Sequence, residues 1–211
     1  MSDLFSNPLA AFVLTSFVIE MTPGPNMAYL ATLSLSQGVR AGLAAVMGVA
    51  LGLSVYGVAA ALGLSAIIDN SPLFYEVLRW GGFAYLLWLA WEAWTSESET
   101  SPENLKDLNI GALVAFRRGL ITNLLNPKAM VFYVAVLPDF VQIGRGSVTA
   151  QTLMLSAIYV GVATTIHLAI VLLAGRLQSV ISTPDKRRAI RRMLALLLAV
   201  IAIWFAFGTA R

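Results

Sequence analysis

Long apolar stretches separated by short polar segments dominate the chain. Six of them are long enough to cross the apolar core of a bilayer, for which a helix needs about 20 residues. The six stretches cover residues 8–36, 42–68, 72–95, 113–138, 148–174 and 190–209. A hydrophilic run at 96–109 divides them into two sets of three. The pattern predicts an all-α integral membrane protein with six transmembrane helices.

Composition agrees with a membrane protein. Hydrophobic residues make up 58% of the chain and charged residues 12%, against about 45–50% and about 25% in soluble domains; the mean hydropathy is +0.79. The first five residues lack a basic segment, so we expect the first stretch to be retained rather than cleaved as a signal peptide. With no cysteine and one histidine, we expect no cofactor and no metal site. The net charge of +3 comes from short loops, so no nucleic-acid partner is expected.

The distribution of basic residues predicts an orientation. Loops after the first, third and fifth stretches hold ten of the fourteen Lys and Arg residues, and the opposite side holds three. Lys128 lies inside a span. Since cytoplasmic loops carry the excess of Lys and Arg, both termini are predicted on the non-cytoplasmic side.

The two sets of three helices suggest an internal repeat. An odd number of spans per set means that a repeated half is inverted relative to the first. Aligning Pro25 with Pro127 places each proline well inside the first helix of its half. We therefore predict one membrane domain over 1–211, a 3+3 inverted repeat with halves at about 1–95 and 110–211, and a linker at 96–109.

Proline breaks interrupt the first and fourth helices. Thr22-Pro23 and Asn126-Pro127 each join a favourable N-cap residue to a proline at the first helical position, so we predict that a helix begins at each. Breaks inside a bilayer are costly because freed backbone groups need partners, and matched breaks in two halves are typical of a substrate path. The alternative is that the prolines only kink two helices.

Broken helices offer ends of opposite polarity. An N–H end attracts anions and a carbonyl end attracts cations, which suits the carboxylate and ammonium of a zwitterionic amino acid. The predicted substrate-binding residues are Thr22, Pro23, Gly24, Pro25, Asn26, Asn123, Asn126, Pro127 and Lys128.

Three of the ionisable residues in the apolar stretches are candidates for chemistry. Glu20 precedes the first break and is a proton carrier, an ammonium ligand or half of a structural ion pair with Lys128. Lys128 either snorkels to the interface, pairs with Glu20 or holds a substrate carboxylate. His167 is either a hydrogen-bonded core residue or, with an ordinary pKa of about 6.5, a proton relay.

Small residues recur every four positions in the second helix, at Ala44, Gly48 and Gly52, and Tyr56 follows them. This spacing predicts a face against which another helix packs closely. Tyr56 also offers a hydroxyl to a pore.

Two segments carry a family resemblance. Residues 22–26, followed by Ser36-Gln37-Gly38, resemble the start of LysE-type amino-acid exporters of the threonine/homoserine branch, and residues 123–129 with 137–140 resemble that family's second signature. The resemblance runs over nearly the whole chain. It implies proton-driven export of amino acids or close derivatives across the bacterial inner membrane, by a homodimer. Many relatives have an acidic residue in the fifth helix, where this chain has His167.

Two rival functions remain at this stage. One is efflux of another small solute, such as a metal cation or an amphipathic amino-acid derivative. The other is a membrane-embedded enzyme, which would need a nucleophile–base pair, a metal cluster or paired acids within the spans. The chain has one histidine, no cysteine and one clear intramembrane acid, so we expect a transporter and not an enzyme.

Overall fold

A computed structural model of the chain describes residues 7–63, 72–95 and 111–180, together with scattered helical positions between 189 and 203. Every regular element in these segments is a helix. Their bounds are α1 Pro8–Met21, α2 Pro25–Gln37, α3 Val39–Ala61, α4 Pro72–Thr95, α5 Ala112–Leu124, α6 Pro127–Val131 and α7 Val148–Val180. The helix of α6 continues through a π-helical turn, Phe132–Val136, and a 3-10 turn, Leu137–Phe140.

The helices follow the first five predicted stretches closely. Among the described residues, α3 and the first thirty residues of α7 are long and apolar enough to cross a membrane, and α5 with Pro127–Phe140 makes a third crossing if the bent pair counts as one. The predicted linker at 96–109 and most of the sixth stretch, at 190–209, lie outside the described residues. The described segments are therefore all-helical, with helices long and apolar enough for a membrane protein.

The first break differs from its prediction. Its helix begins at Pro25 with Gly24 as N-cap, whereas Thr22 is the C-cap of α1 and its hydroxyl donates to the Ile19 carbonyl. Proline pushes the preceding residue out of the helical region. Thr22 (ψ 128°) and Gly24 (φ −158°, ψ 177°) both precede a proline and are both extended. The predicted helix start at Thr22-Pro23 was therefore wrong, and three residues separate α1 from α2.

The second break matches its prediction. Asn126 is the N-cap of α6, and its side-chain oxygen accepts a hydrogen bond from the Lys128 N–H at 3.0 Å. Pro127 takes the first helical position. The helix axis bends by 51° between α5 and the segment that follows.

Close backbone packing centres on α3. A Cβ added at Gly48 would collide with the Phe116 carbonyl of α5, and one at Gly119 of α5 would collide with the Ala45 backbone. A Cβ at Gly52 would stand 2.6 Å from Asn123 Nδ2. Along the length of the contact, Ala45 lies against Gly119, Gly52 against Asn123 and Tyr56 against Leu124, so α3 and α5 are parallel. The close face predicted for this helix is confirmed.

Successive spans alternate in direction. Gly42 of α3 lies against Val171 of α7, and Gly57 lies against Ser156, so α3 and α7 are antiparallel. Gly81 of α4 lies near Leu125, and the Arg118 guanidinium lies 5.3 Å from the Trp88 ring centroid. Both contacts make α4 antiparallel to α5.

The alternation gathers basic residues at one end of the bundle. Val39 touches Gly175, α5 begins beside the start of α3, and the Arg192 guanidinium lies 5.1 Å from the ring centroid of Trp94, near the end of α4. The described basic residues of this end are Arg40, Arg117, Arg118, Arg176 and Arg192. Arg145 lies at the opposite end, and Arg79 is two turns into α4 from that end.

Candidate functional site at the two helix breaks

The two breaks meet in the interior of the bundle. Asn26 Nδ2, in the first turn of α2, donates to Asn123 Oδ1 at the end of α5 over 2.9 Å. Towards the opposite end, the rings of Phe12 and Phe140 lie 5.1 Å apart. The first and fourth spans therefore run antiparallel past each other, with their breaks side by side.

The amide pair across the breaks is incompletely bonded. Asn26 and Asn123 are 6% and 0% exposed. Asn26 Oδ1 and Asn123 Nδ2 have no hydrogen-bond partner within the described part of the chain. Buried amides normally satisfy both groups, so this contact leaves one acceptor and one donor unused.

Glu20, near the end of α1, is the anionic centre of the site. It is 5% exposed, and a buried carboxylate needs hydrogen bonds or opposite charge nearby. The Tyr159 hydroxyl donates to Oε1 at 2.5 Å. Oε2 lies 3.9 Å from Lys128 Nζ and 3.5 Å from His167 Nε2. Residues from three elements (α1, α6 and α7) thus converge on one carboxylate.

Lys128 links the second break to the first. Its ammonium donates to the Thr22 carbonyl at 2.9 Å, at the C-terminal end of α1, where the helix dipole is negative. Of the sequence alternatives for Lys128, the structure has the pairing with Glu20. Gly24 gives the lysine room, because a Cβ there would stand 3.3 Å from Lys128 Cδ.

His167 lies behind Glu20 on α7. It is 1% exposed, and neither ring nitrogen has a hydrogen-bond partner among the described residues. The 3.5 Å between Nε2 and the carboxylate is too long for a good hydrogen bond. It is short enough for a proton to pass between the two groups after a small movement.

A small pocket opens between the breaks. Its lining residues are Glu20, Gly24, Asn26, Met27, Asn126, Lys128 and Ala129. Its free space is about 10 Å³, which is room for about one water molecule. An amino acid is larger, so none fits while the two breaks lie together; we call this arrangement closed.

The predicted site residues separate into two groups. Gly24, Asn26, Asn126 and Lys128 line the pocket together with Glu20, and Thr22 turns its backbone carbonyl to the Lys128 ammonium. The others stand outside the lining and shape it: Pro23, Pro25, Asn123, Pro127 and His167.

Sequence reasoning missed Tyr159. It is fully buried, and its ring stacks on Phe132 at 3.5 Å between centroids and 11° between planes. A lone tyrosine in an apolar helix has no distinguishing pattern. One signal was available, since Tyr159 and His167 are eight positions apart and so belong to one stripe of α7.

Tyr56, predicted to offer a hydroxyl to a pore, bonds instead to the second break. Its hydroxyl donates to the Leu124 carbonyl at 2.6 Å, one of the carbonyls left without a helical partner where α5 ends. Its ring stacks on Tyr133 at 5.9 Å. Tyr56 thus holds the end of α5 in place.

The arrangement can bind a molecule that carries both charges. A buried carboxylate and a helix carbonyl end form a cation position, now taken by the Lys128 ammonium. The first-turn N–H groups of α2, at Asn26 and Met27, have no carbonyl one turn earlier within the helix and suit an anion. Both positions border the same pocket.

Several known proteins are similar to this chain in sequence. The family model described as LysE type translocator matches residues 17–209. The homoserine/homoserine lactone efflux protein of Salmonella typhimurium is 28% identical over 93% of this chain and 94% of its own length. The leucine efflux protein of an Enterobacter species is 28% identical over 69% of each chain. An uncharacterized membrane protein of Vibrio cholerae is 33% identical over 62% of this chain and 63% of its own. No solved structure matches the chain significantly.

Proposed function

Because the chain belongs to the LysE-type translocator family, we propose that it exports amino acids or close derivatives from the cytoplasm. Relatives named as homoserine/homoserine lactone and leucine efflux proteins support small neutral substrates. The family and these names indicate a transporter rather than an enzyme.

The observation that carries the proposal is the pairing of two helix breaks around Glu20 and Lys128. In our proposal, the substrate ammonium binds at Glu20 and the Thr22 carbonyl, and its carboxylate binds at the N-terminal end of α2. The residues of the site are those predicted from the sequence: Thr22, Pro23, Gly24, Pro25, Asn26, Asn123, Asn126, Pro127 and Lys128. Some of them bind directly, and the others hold the breaks in shape.

The carrier we propose works by alternating access. Since the pocket holds about one water molecule, a substrate enters only after the breaks move apart. Halves that rock against each other around a central site would do this. The antiparallel first and fourth spans support a 3+3 inverted repeat of six transmembrane helices in one domain over 1–211.

Proton coupling belongs to the same proposal. Glu20 and His167 lie 3.5 Å apart and are the groups we assign to it. A proton taken up from outside neutralises the Glu20 carboxylate, which weakens its hold on the substrate ammonium and resets the carrier. We assign to His167 the place where the family resemblance implies an acid in this helix.

We place the protein in the inner membrane of a bacterium as a homodimer, with both termini on the non-cytoplasmic side. The basic end of the bundle supports this orientation, because five described arginines share it (Arg40, Arg117, Arg118, Arg176 and Arg192) and basic residues face the cytoplasm.

A second candidate function is efflux of an amphipathic amino-acid derivative. The relative named for homoserine lactone favours it, since a lactone keeps the ammonium and lacks the free carboxylate. Such a substrate needs the cation position at Glu20 but not the anion position at α2. Glu20 therefore matters in both proposals.

The test is efflux from vesicles preloaded with a mixed pool of labelled amino acids under an imposed proton gradient, comparing wild type with Glu20→Gln. We expect a few neutral amino acids to leave faster with wild type and the variant to lose this efflux. Efflux that is insensitive to collapse of the gradient would remove the proton coupling. No movement of any amino acid or lactone would overturn the proposal.

A further inference from the structure

Lys128 occupies the position that a substrate ammonium needs. Its Nζ lies 2.9 Å from the Thr22 carbonyl oxygen and 3.9 Å from Glu20 Oε2. These are the two acceptors that form the cation position beside the pocket. A primary ammonium on a lysine and one on an amino acid have the same charge and the same three donors.

Two cations do not share this position. The pocket has room for about one water molecule, and like charges so close together repel strongly in a low-dielectric interior. A substrate ammonium therefore reaches Glu20 only if Lys128 leaves.

The surroundings of Lys128 allow its ammonium to leave the cation position. Its side chain is a flexible four-carbon stem, and the stem passes Gly24, where a Cβ would stand 3.3 Å from Cδ. Lys128 sits in α6 directly after the second break, whereas Thr22 and Glu20 belong to the first. Parting the breaks therefore separates the lysine from both acceptors.

We propose that Lys128 is a tethered stand-in for the substrate's ammonium. It fills the cation position when no substrate is bound and gives way when a zwitterion or an amine binds. This inference rests on the proposed export function and names the step that the lysine controls.

Lys128 also balances the charge of Glu20 when no substrate is bound. A buried carboxylate without a counter-charge is costly, and the Lys128 ammonium lies 3.9 Å from Glu20 Oε2. A proton on Glu20 removes this cost in the proposed proton-coupled return; when Glu20 is not protonated, Lys128 balances the empty site instead and lets the carrier return without cargo. Net export then depends on Lys128 more strongly than exchange does, because in exchange a substrate travels in both directions.

The transport test compares net efflux with exchange in vesicles, using labelled leucine and labelled homoserine at about pH 8, where carboxyl groups ionise. For Lys128→Met we expect the ratio of exchange to net efflux to rise about tenfold. We also expect the half-saturating concentration in exchange to fall about tenfold, because a competitor present about nine-tenths of the time is removed. Lys128→Arg keeps the charge and should stay closer to wild type, and Arg145→Met is the control for loss of a distant cation.

Parallel loss of exchange and net efflux in Lys128→Met would overturn the inference. It would mean that the lysine binds the substrate directly or supports the fold. If wild type moves neither compound, the mixed-pool assay decides the export proposal, and a second measurement still tests the stand-in.

The second measurement needs no transport. In Lys128→Ala, ethylammonium should bind where the lysine ammonium was and raise the unfolding midpoint in detergent by about 2 °C or more over equal sodium chloride. Wild type should not respond, because its own lysine holds the position. The double variant with Glu20→Gln should not respond either, because the acceptor carboxylate is lost. Equal responses in all three proteins would refute the stand-in.

Discussion

At the scale of residues, one carboxylate organises the interior. Glu20 receives a hydroxyl from Tyr159, lies beside a lysine and faces a histidine. Each neighbour comes from a different turn or helix, so the geometry around Glu20 depends on how α1, α6 and α7 pack. A small change in any one of them alters the carboxylate that we assign to substrate and proton binding.

The Tyr159 hydroxyl should be essential to this geometry. Hydrogen bonds to charged groups contribute about 1.5–3 kcal/mol, so Tyr159→Phe should lower the efflux rate at least about tenfold while its ring keeps its stack on Phe132. Initial efflux rates from preloaded vesicles measure this.

The matched control is Tyr133→Phe. Tyr133 is buried in the same aromatic group, and its hydroxyl has no hydrogen-bond partner among the described residues. We expect nearly unchanged efflux. Equal losses in both variants would show that the ring cluster, rather than the bond to Glu20, is what matters.

At the scale of elements, the caps at the breaks decide where helices begin. Asn126 and Asn7 make the same bond, each accepting from the N–H two residues on at 3.0 Å. Asn7 caps α1 far from the site, whereas Asn126 caps α6 inside it. Variants of these two asparagines therefore distinguish the stability that a cap contributes from its effect on the geometry of the site.

Replacing either asparagine by alanine should cost about 1 kcal/mol of stability. Asn126→Ala should in addition slow efflux several-fold, because the cap fixes the backbone of Lys128, and Asn7→Ala should not. Unfolding midpoints in detergent and vesicle efflux rates give the two readouts. Normal efflux in Asn126→Ala would contradict the assigned role of this break.

Helix packing gives a second prediction at this scale. Gly48→Ala places a methyl group against the Phe116 carbonyl, which should destabilise the fold by about 1–3 kcal/mol. Gly161→Ala on α7 meets no atom within 4 Å among the described residues and should stabilise the fold by up to about 1 kcal/mol through helix propensity. Thermal unfolding of both variants checks the two opposite signs, and a stable Gly48→Ala protein would contradict the close contact.

Most helix positions could be predicted from the sequence. Span positions follow from hydropathy, and the start at Asn126-Pro127 follows from cap and proline preferences. The start of α2 was misplaced because both Pro23 and Pro25 could begin the helix. Each proline holds the residue before it in an extended conformation, so the helix begins only at the second. Tyr159 was missed because its partner, Glu20, is 139 positions away and only tertiary packing joins them.

At the scale of the whole molecule, the alternating spans give the bundle one basic end. Helix directions taken from packing contacts place Arg40, Arg117 and Arg176 together at this end. The bundle geometry and the distribution of basic residues therefore support the same orientation.

Cysteine labelling tests the orientation without background, since the chain has no cysteine. Arg40 and Arg145 are both exposed, at opposite ends. On intact cells, a membrane-impermeant maleimide should label Arg145→Cys, and it should label Arg40→Cys only after permeabilisation. The reverse pattern would invert the proposed topology.

The incomplete amide pair between Asn26 and Asn123 has an energetic consequence for the cycle. Parting these side chains breaks one hydrogen bond, but entering water could then solvate a donor and an acceptor that now have no partner among the described residues. An unsatisfied buried polar group costs about 1–3 kcal/mol, so the closed arrangement gives up stability at the place where the breaks must separate. A smaller free-energy gap between two states raises the population of the less stable one. The unsatisfied amides thus favour opening, because they lower the stability of the closed arrangement.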